Sequence, residues 1–255
     1  MFLKKTERIF RRVVRLFEKN HCTVTAVLVL ALIGGVFLGN SEKPHGEIQP
    51  VAAEAERHEI VWGDRSEKQV IFTFDGGSTD ESGEAILSAL KKHNVKGTFF
   101  LTGKFVEKNQ ELVKNISAEG HEIFNHTYSH PDLTALSDEL IEDELLRMET
   151  IVKNLTGKST KPYFRPPFGA RNERVYATAL RAGFQPVYWT IDALDWKEGR
   201  GIDAEDVKHR ILLNLAPGAI YLMHVGDTLT GAVLDEVFTE IEARGYFLVS
   251  LTEGV

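Results

Sequence analysis

The segment QVIFTFDGGS, residues 69–78, passes directly from an apolar run to a lone carboxylate beside two glycines. Val70, Ile71, Phe72 and Phe74 are β-branched or aromatic and suit a buried strand, so residues 69–75 are predicted as one. A carboxylate this close to a core costs free energy unless something pairs with it, so Asp75 predicts a partner. The adjoining glycines let the chain turn sharply or let a ligand approach the backbone closely.

Outward from this segment, strand-like and helix-like stretches alternate to the end of the chain. Helices are predicted over 81–93, 109–119, 137–155, 173–182, 204–215 and 234–244. Strands are predicted over 97–103, 122–126, 163–168, 186–191, 219–224 and 246–249. Ser137 is placed to cap the long helix, with half of a capping box, and Gly183 to end a later one. About seven βα units imply a parallel sheet, open or closed into a barrel. In either form the C-terminal ends of the strands carry the chemistry.

The polar residues that need explaining fall at those ends. HTYSH, residues 126–130, sets two histidines four apart just after a strand; on a helical turn both imidazoles would reach one cation. Two histidines with a carboxylate and open positions suit a catalytic metal site rather than a closed structural one. RPPFG, residues 165–169, offers Arg165 as a fixed partner for a buried carboxylate. IDALDW, residues 191–196, supplies Asp195 and Trp196, and YLMHVG, residues 221–226, ends an apolar strand on His224. An aspartate beside that histidine would orient the ring and raise its pKa.

TFDGG, HTYSH, RPPFG, DALDW and LMH, in this order, resemble the five motifs of the NodB-type polysaccharide deacetylases, carbohydrate esterase family 4. The resemblance spans residues 67–255 and implies a distorted (β/α) barrel of about seven parallel strands. It implies hydrolytic removal of acetyl groups from sugars with one divalent metal ion, expected to be Zn²⁺, held by His126 and His130. It implies Asp75 as the base that activates water, Arg165 as its partner, and His224 as the acid, tuned by Asp195. Trp196 and Leu222 would wall the acetyl pocket, and the backbone N–H of Phe168 would serve an oxyanion hole. The motif departs from the family in one place: Gly76 stands where a second aspartate usually ligates the metal. Asp80, Asp75 itself or a water are the substitutes the sequence offers, and a domain that binds glycan without catalysis is the alternative reading.

Composition sets the surroundings. The chain has 255 residues, 30 Lys plus Arg against 37 Asp plus Glu, and a formal net charge of −7, which gives no reason to expect nucleic acid. Its single cysteine, Cys22, excludes an internal disulfide and any multi-cysteine zinc site. Residues 1–22 are basic, and residues 23–39, TVTAVLVLALIGGVFLG, carry no charge. They are expected as a cytoplasmic segment and an uncleaved membrane-anchor helix. Residues 40–66 are expected as an extracytoplasmic linker, and 67–255 as a monomeric deacetylase domain outside the cell membrane. The expected partner is a cell-envelope polysaccharide, peptidoglycan foremost, with chitin-like or other acetylated polymers as alternatives. A glycosidase built on paired carboxylates would leave the histidine pair without a role.

Overall fold

The computed structural model describes residues 59–77 and 79–255. The expected basic segment and anchor, residues 1–39, and the linker up to residue 58 lie outside the described residues. Among the described residues no helix is long and apolar enough to cross a membrane.

The strands are β1 (Gln69–Gly76), β2 (Thr98–Leu101), β3 (Glu122–Asn125), β4 (Tyr163–Phe164), β5 (Gln185–Pro186), β6 (Ile191–Asp192), β7 (Ala219–His224) and β8 (Phe247–Val249). Seven form a parallel sheet in the order β5-β4-β3-β2-β1-β7-β6, and β8 pairs with the first residues of β1. The sheet is a curled half-barrel with helices on its outer face, in line with the expected α/β class. Those helices are α1 (Gly83–Lys92), α2 (Gly103–Lys108), α3 (Gln110–Ala118), α4 (Asp138–Thr156), α5 (Glu173–Arg181), α6 (Ala204–Leu213) and α7 (Thr228–Ala243), and a short α8 (Leu251–Gly254) ends the chain.

Strand β1 shows how the sequence builds both faces. Side chains alternate along a strand. Val70, Phe72 and Phe74 join the large core under the helices, whereas Ile71 packs with Phe100, Phe124 and Ile220 in the interior of the curl. Thr73 and Asp75 share the Ile71 face, so the interior becomes polar only at the strand's C-terminal end. Central β1 is flanked by β7, with Asp75 opposite His224, and by β2, with Asp75 opposite Phe100. One register therefore delivers an acid and a histidine side by side.

The long helix α4 begins where expected: the Ser137 side chain accepts from the Leu140 N–H, and Gly157 closes the helix with φ 74°. Four expectations need correction. Residues 186–191 are two strands rather than one, because Ile60 inserts there: its N–H donates to the Pro186 carbonyl and its carbonyl accepts from Tyr188 N–H. Consequently residues 59–66, expected as linker, belong to the fold; Trp62 also bridges Ala219, and Gly63 N–H donates to the Gly218 carbonyl. Helix α2 was not expected; the Thr102 hydroxyl caps it by accepting from Phe105 N–H at 3.1 Å. Helix α7 starts at Thr228 rather than 234.

Candidate active site

Asp75, His126, His130, Phe168, Trp196, Leu222 and His224 all line one cleft of about 620 Å³ at the C-terminal ends of the strands. Arg165 and Asp195 lie directly behind its wall, each fully buried.

Arg165 is the partner that Asp75 requires. Its Nη1 donates to Asp75 Oδ1 at 2.6 Å and to Thr73 Oγ1 at 2.9 Å, and its Nη2 donates to the Tyr188 carbonyl at 3.0 Å. The guanidinium also lies over the Phe100 ring at 4.2 Å. Burial pushes the Asp75 carboxyl up, but the charge and hydrogen bond of Arg165, with the charge of His224, outweigh it, so its pKa falls below the ordinary value. Asp75 is an anion at neutral pH.

The histidine pair does not sit on a helical turn. Thr127 and His130 have φ of 68° and 64°, in the left-handed region, and the loop doubles back between them. Side chains fix this path. Asn125 Oδ1 accepts from Thr127 N–H at 2.9 Å, Thr127 Oγ1 accepts from His130 N–H at 3.1 Å, and Glu144 on α4 accepts from both the N–H and the hydroxyl of Ser129 at 2.7 Å. The two imidazoles still end face to edge, 4.9 Å between centroids.

Hydrogen bonding sets the His126 tautomer. Nδ1 donates to the Arg165 carbonyl at 2.8 Å, which leaves Nε2 directed at Asp75 Oδ2, 3.5 Å away. Burial lowers the His126 pKa despite the opposing Asp75 charge, so this contact is between a neutral imidazole lone pair and a carboxylate, not an ion pair. Two acceptors that face one another with no donor between them suit a cation. His130 is also neutral, lowered to about 4 by burial and by His126. Two neutral imidazoles and one carboxylate match the donor set of catalytic divalent-metal sites, in which a third group orients each histidine. Asp80 is not among them; it is exposed and lines a separate surface depression with Lys108 and Asn109.

Across the cleft, His224 Nδ1 donates to Asp195 Oδ1 at 2.9 Å. Burial lowers the His224 pKa, but the hydrogen bond and charge of Asp195 prevail and raise it to about 9. Asp195, His224 and Asp227 have ligand atoms within 4.8 Å of one another. Asp195, however, also accepts from His224 N–H, Trp196 N–H and the Thr230 hydroxyl, which saturates its lone pairs and commits it to His224 rather than to a cation.

The third wall is apolar. Leu222 is buried and Trp196 half-exposed, and Phe168, at φ 58° and largely exposed, sets its ring edge to face with His130 at 4.4 Å. The hydrogen bonds of that turn run from Gly169 and Ala170 to Pro166 and Pro167, so the Phe168 N–H is not spent on it. The cleft also takes in Asp192, the first of the two aspartates of IDALDW, and Trp189 and Asp227, which the sequence had not singled out. Trp189 lies two residues before IDALDW, and that proximity is the signal that would have found it. Asp227 lies outside every element predicted from the sequence, because the last long helix was expected from 234 and begins at Thr228.

The family described as polysaccharide deacetylase matches residues 63–187. The peptidoglycan-N-acetylmuramic acid deacetylase PdaA of Bacillus subtilis is 37% identical over 191 residues, covering 75% of this chain and 73% of its own. A peptidoglycan-N-acetylglucosamine deacetylase of Bacillus cereus is 37% identical over 193 residues, covering 74% and 69%. The solved structure of PdaA superposes with a TM-score of 0.75 at 34% identity over 83% of this chain and 89% of that one. A carbohydrate esterase family 4 pseudoenzyme from Bacillus anthracis superposes at 0.72, 32% identity, over 76% and 68%. The chain belongs to the polysaccharide deacetylases, carbohydrate esterase family 4, and its class is that of hydrolases that remove acetyl groups from polysaccharides.

Proposed function

We propose that this chain is a metal-dependent deacetylase of acetylated amino sugars in a cell-envelope glycan, peptidoglycan foremost. The observation that carries the reading is the opposition across one cleft of an anionic carboxylate facing a neutral His126 Nε2 and a protonated His224. The names of the B. subtilis and B. cereus relatives support the substrate.

An acetamide is a poor electrophile and its leaving amine must be protonated. His126 and His130 would hold a divalent ion, Zn²⁺ foremost, which when bound would polarise an acyl carbonyl and acidify water. The chain's own residues do the rest. Asp75 Oδ2 takes the proton of the attacking water, while Arg165 keeps Oδ1 occupied and the carboxylate ionised. The Phe168 N–H donates to the developing oxyanion. Leu222 and Trp196 enclose the acetyl methyl and exclude water from it. His224 delivers its proton to the departing nitrogen, and Asp195 holds the ring in place as it does so.

The topology belongs to the same reading: residues 1–22 inside, 23–39 in the membrane, and the catalytic domain outside. Protease added to intact cells should remove the domain and leave a small membrane fragment. Acetate release from peptidoglycan by the purified full chain, with and without added Zn²⁺, tests the activity. A second reading, glycan binding without turnover, is favoured by Gly76, and retained binding with no acetate release under any divalent metal would select it.

A further inference from the structure

Asp192 lines the cleft together with Leu222 and Trp196 and has no role in the chemistry above. It ends β6 as the register partner of Leu222 on β7, so the two side chains leave the same face of the sheet from strands about 4.8 Å apart. Its main chain is fixed further by Arg210, whose Nε donates to the Asp192 carbonyl at 2.5 Å. The carboxylate is divided between two donors. Oδ1 accepts from Leu194 N–H at 2.8 Å and closes a turn that holds Leu194 at φ 63°. Oδ2 accepts from the indole Nε1–H of Trp196 at 3.3 Å.

Trp196 is thereby held at two points. Its backbone N–H donates to Asp195 Oδ1 at 3.0 Å, which fixes the main chain but leaves the side-chain torsions free. The ring is half-exposed, and the Lys197 ammonium, 5.0 Å from its centroid, approaches its face without fixing its rotation. The bond to Asp192 supplies the missing direction. Because Asp192 is paired in register with Leu222, this bond also fixes the indole relative to Leu222. We infer that Asp192 is a positioning residue that sets the width of the acyl pocket by pinning the Trp196 indole beside Leu222, and so selects acetyl over longer acyl groups. It acts through Trp196 and not on the reacting atoms. The inference rests on the deacetylase reading, in which Leu222 and Trp196 enclose the acetyl methyl. A rigid apolar pocket discriminates one methylene by about tenfold or more. A released indole swings aside and lets the larger group in.

The test is a double-mutant cycle on the full chain. Parent, Asp192→Ala, Asp192→Ser, Trp196→Phe and the Asp192→Ser, Trp196→Phe double variant are compared on an N-acetylglucosamine tetramer and its N-propionyl counterpart. Acyl release gives one selectivity ratio, and calorimetric affinity, with a chelator present so that no substrate is consumed, gives another. Asp192→Ser keeps an oxygen for the Leu194 turn but cannot reach the indole, so it separates pocket width from a folding defect in Asp192→Ala. In both Asp192 variants the acetyl preference should shrink by about threefold to tenfold, the weight of one hydrogen bond. Trp196→Phe keeps a ring and drops the N–H, so adding Asp192→Ser to it should move neither ratio further. A general structural defect, or loss of a direct contact between Asp192 and the sugar, lowers both substrates together and leaves the ratios alone. Among the three tryptophans, the indole N–H resonance of Trp196, identified by its loss in Trp196→Phe, should shift in both Asp192 variants. An acetyl preference unchanged in Asp192→Ser, or changed equally in the Trp196→Phe background, would overturn the inference. If parent releases neither acyl group, the deacetylase reading fails, while the affinity ratio still decides whether Asp192 sets the pocket.

Discussion

His126 donates through Nδ1 to the main-chain carbonyl of Arg165, the residue whose guanidinium holds Asp75. One residue of β4's C-terminal end thus orients the imidazole by its backbone and the carboxylate by its side chain. The two functions are separable by substitution, since only the second depends on the side chain.

Arg165→Met should therefore leave His126 in place and strand Asp75. Breaking one side of a buried ion pair costs about 3–5 kcal/mol, because the remaining charge is left without compensation. Denaturant unfolding should show a loss of that order, and acetate release should fall sharply. Arg165→Lys keeps a charge but not the fork that serves Thr73, Asp75 and Tyr188 together, and should recover only part of either loss. A stability equal to parent in Arg165→Met would contradict the pairing.

Replacement of His126 or His130 by alanine should each abolish stoichiometric divalent-metal binding in equilibrium dialysis, with the circular dichroism spectrum retained. Glu144→Gln should weaken binding less, since it loosens only the Ser129 end of the loop. Undiminished metal in both histidine variants would remove them as ligands.

The pH dependence follows from His224, raised from 6.5 to about 9 chiefly by the Asp195 hydrogen bond and charge over the opposing effect of burial. A general acid works while protonated, so activity should persist at neutral pH and fall as pH rises through about 9. The same shift is a stability term. It is fully present below pH 6.5, where the unfolded imidazole is also protonated, and is lost as pH climbs from there through the folded value. Asp195→Asn removes the raising charge, so the alkaline limb of the activity profile should move to lower pH. The His224 ring signal in an NMR titration should move with it.

These roles sit on residues that the sequence exposes unevenly. Strand β1 is legible because its two faces differ: apolar residues at 70, 72 and 74, then Thr73 and Asp75 where the interior turns polar. The motif side chains are legible because each follows an apolar strand. By contrast, β4, β5 and β6 pair over two residues each, too short for any periodicity to register. Ile60 and Trp62 join the sheet through single bridges, which leave no pattern at all. The HTYSH loop misleads because four-residue spacing suggests a helical turn, whereas local bonds from Asn125 and Thr127, together with Glu144 brought in from α4, stabilise a left-handed path. Asp227 is hidden because the apolar pattern of the last long helix registers only from 234, six residues past its start at Thr228.

Gly76 presents the sharpest case, since the resemblance drawn from the sequence leads one to expect a metal-ligating aspartate there. Its φ is not in the left-handed region, so the backbone does not demand glycine there. Sterics are the obstacle: an added Cβ would come within 2.6 Å of Leu101 Cδ2 and 3.4 Å of the Phe105 ring, both in the core under the helices. Alternation along β1 is the reason, because Asp75 faces the cleft and its neighbour faces outward. Leu101 Cδ2 is the end of a flexible side chain and can move, but overpacking of this kind costs about 1–3 kcal/mol. Gly76→Ala should show that stability loss in thermal unfolding with metal affinity unchanged. Gly76→Asp should show a comparable loss together with tighter divalent binding, because its carboxylate starts at the strand end and can turn toward His126 and His130. Adding Leu101→Val to Gly76→Asp should restore part of the stability and keep the gain in affinity. Equal metal affinity in the alanine and aspartate variants would mean that a carboxylate at 76 cannot reach the histidines, and that Asp75 is the carboxylate this site uses.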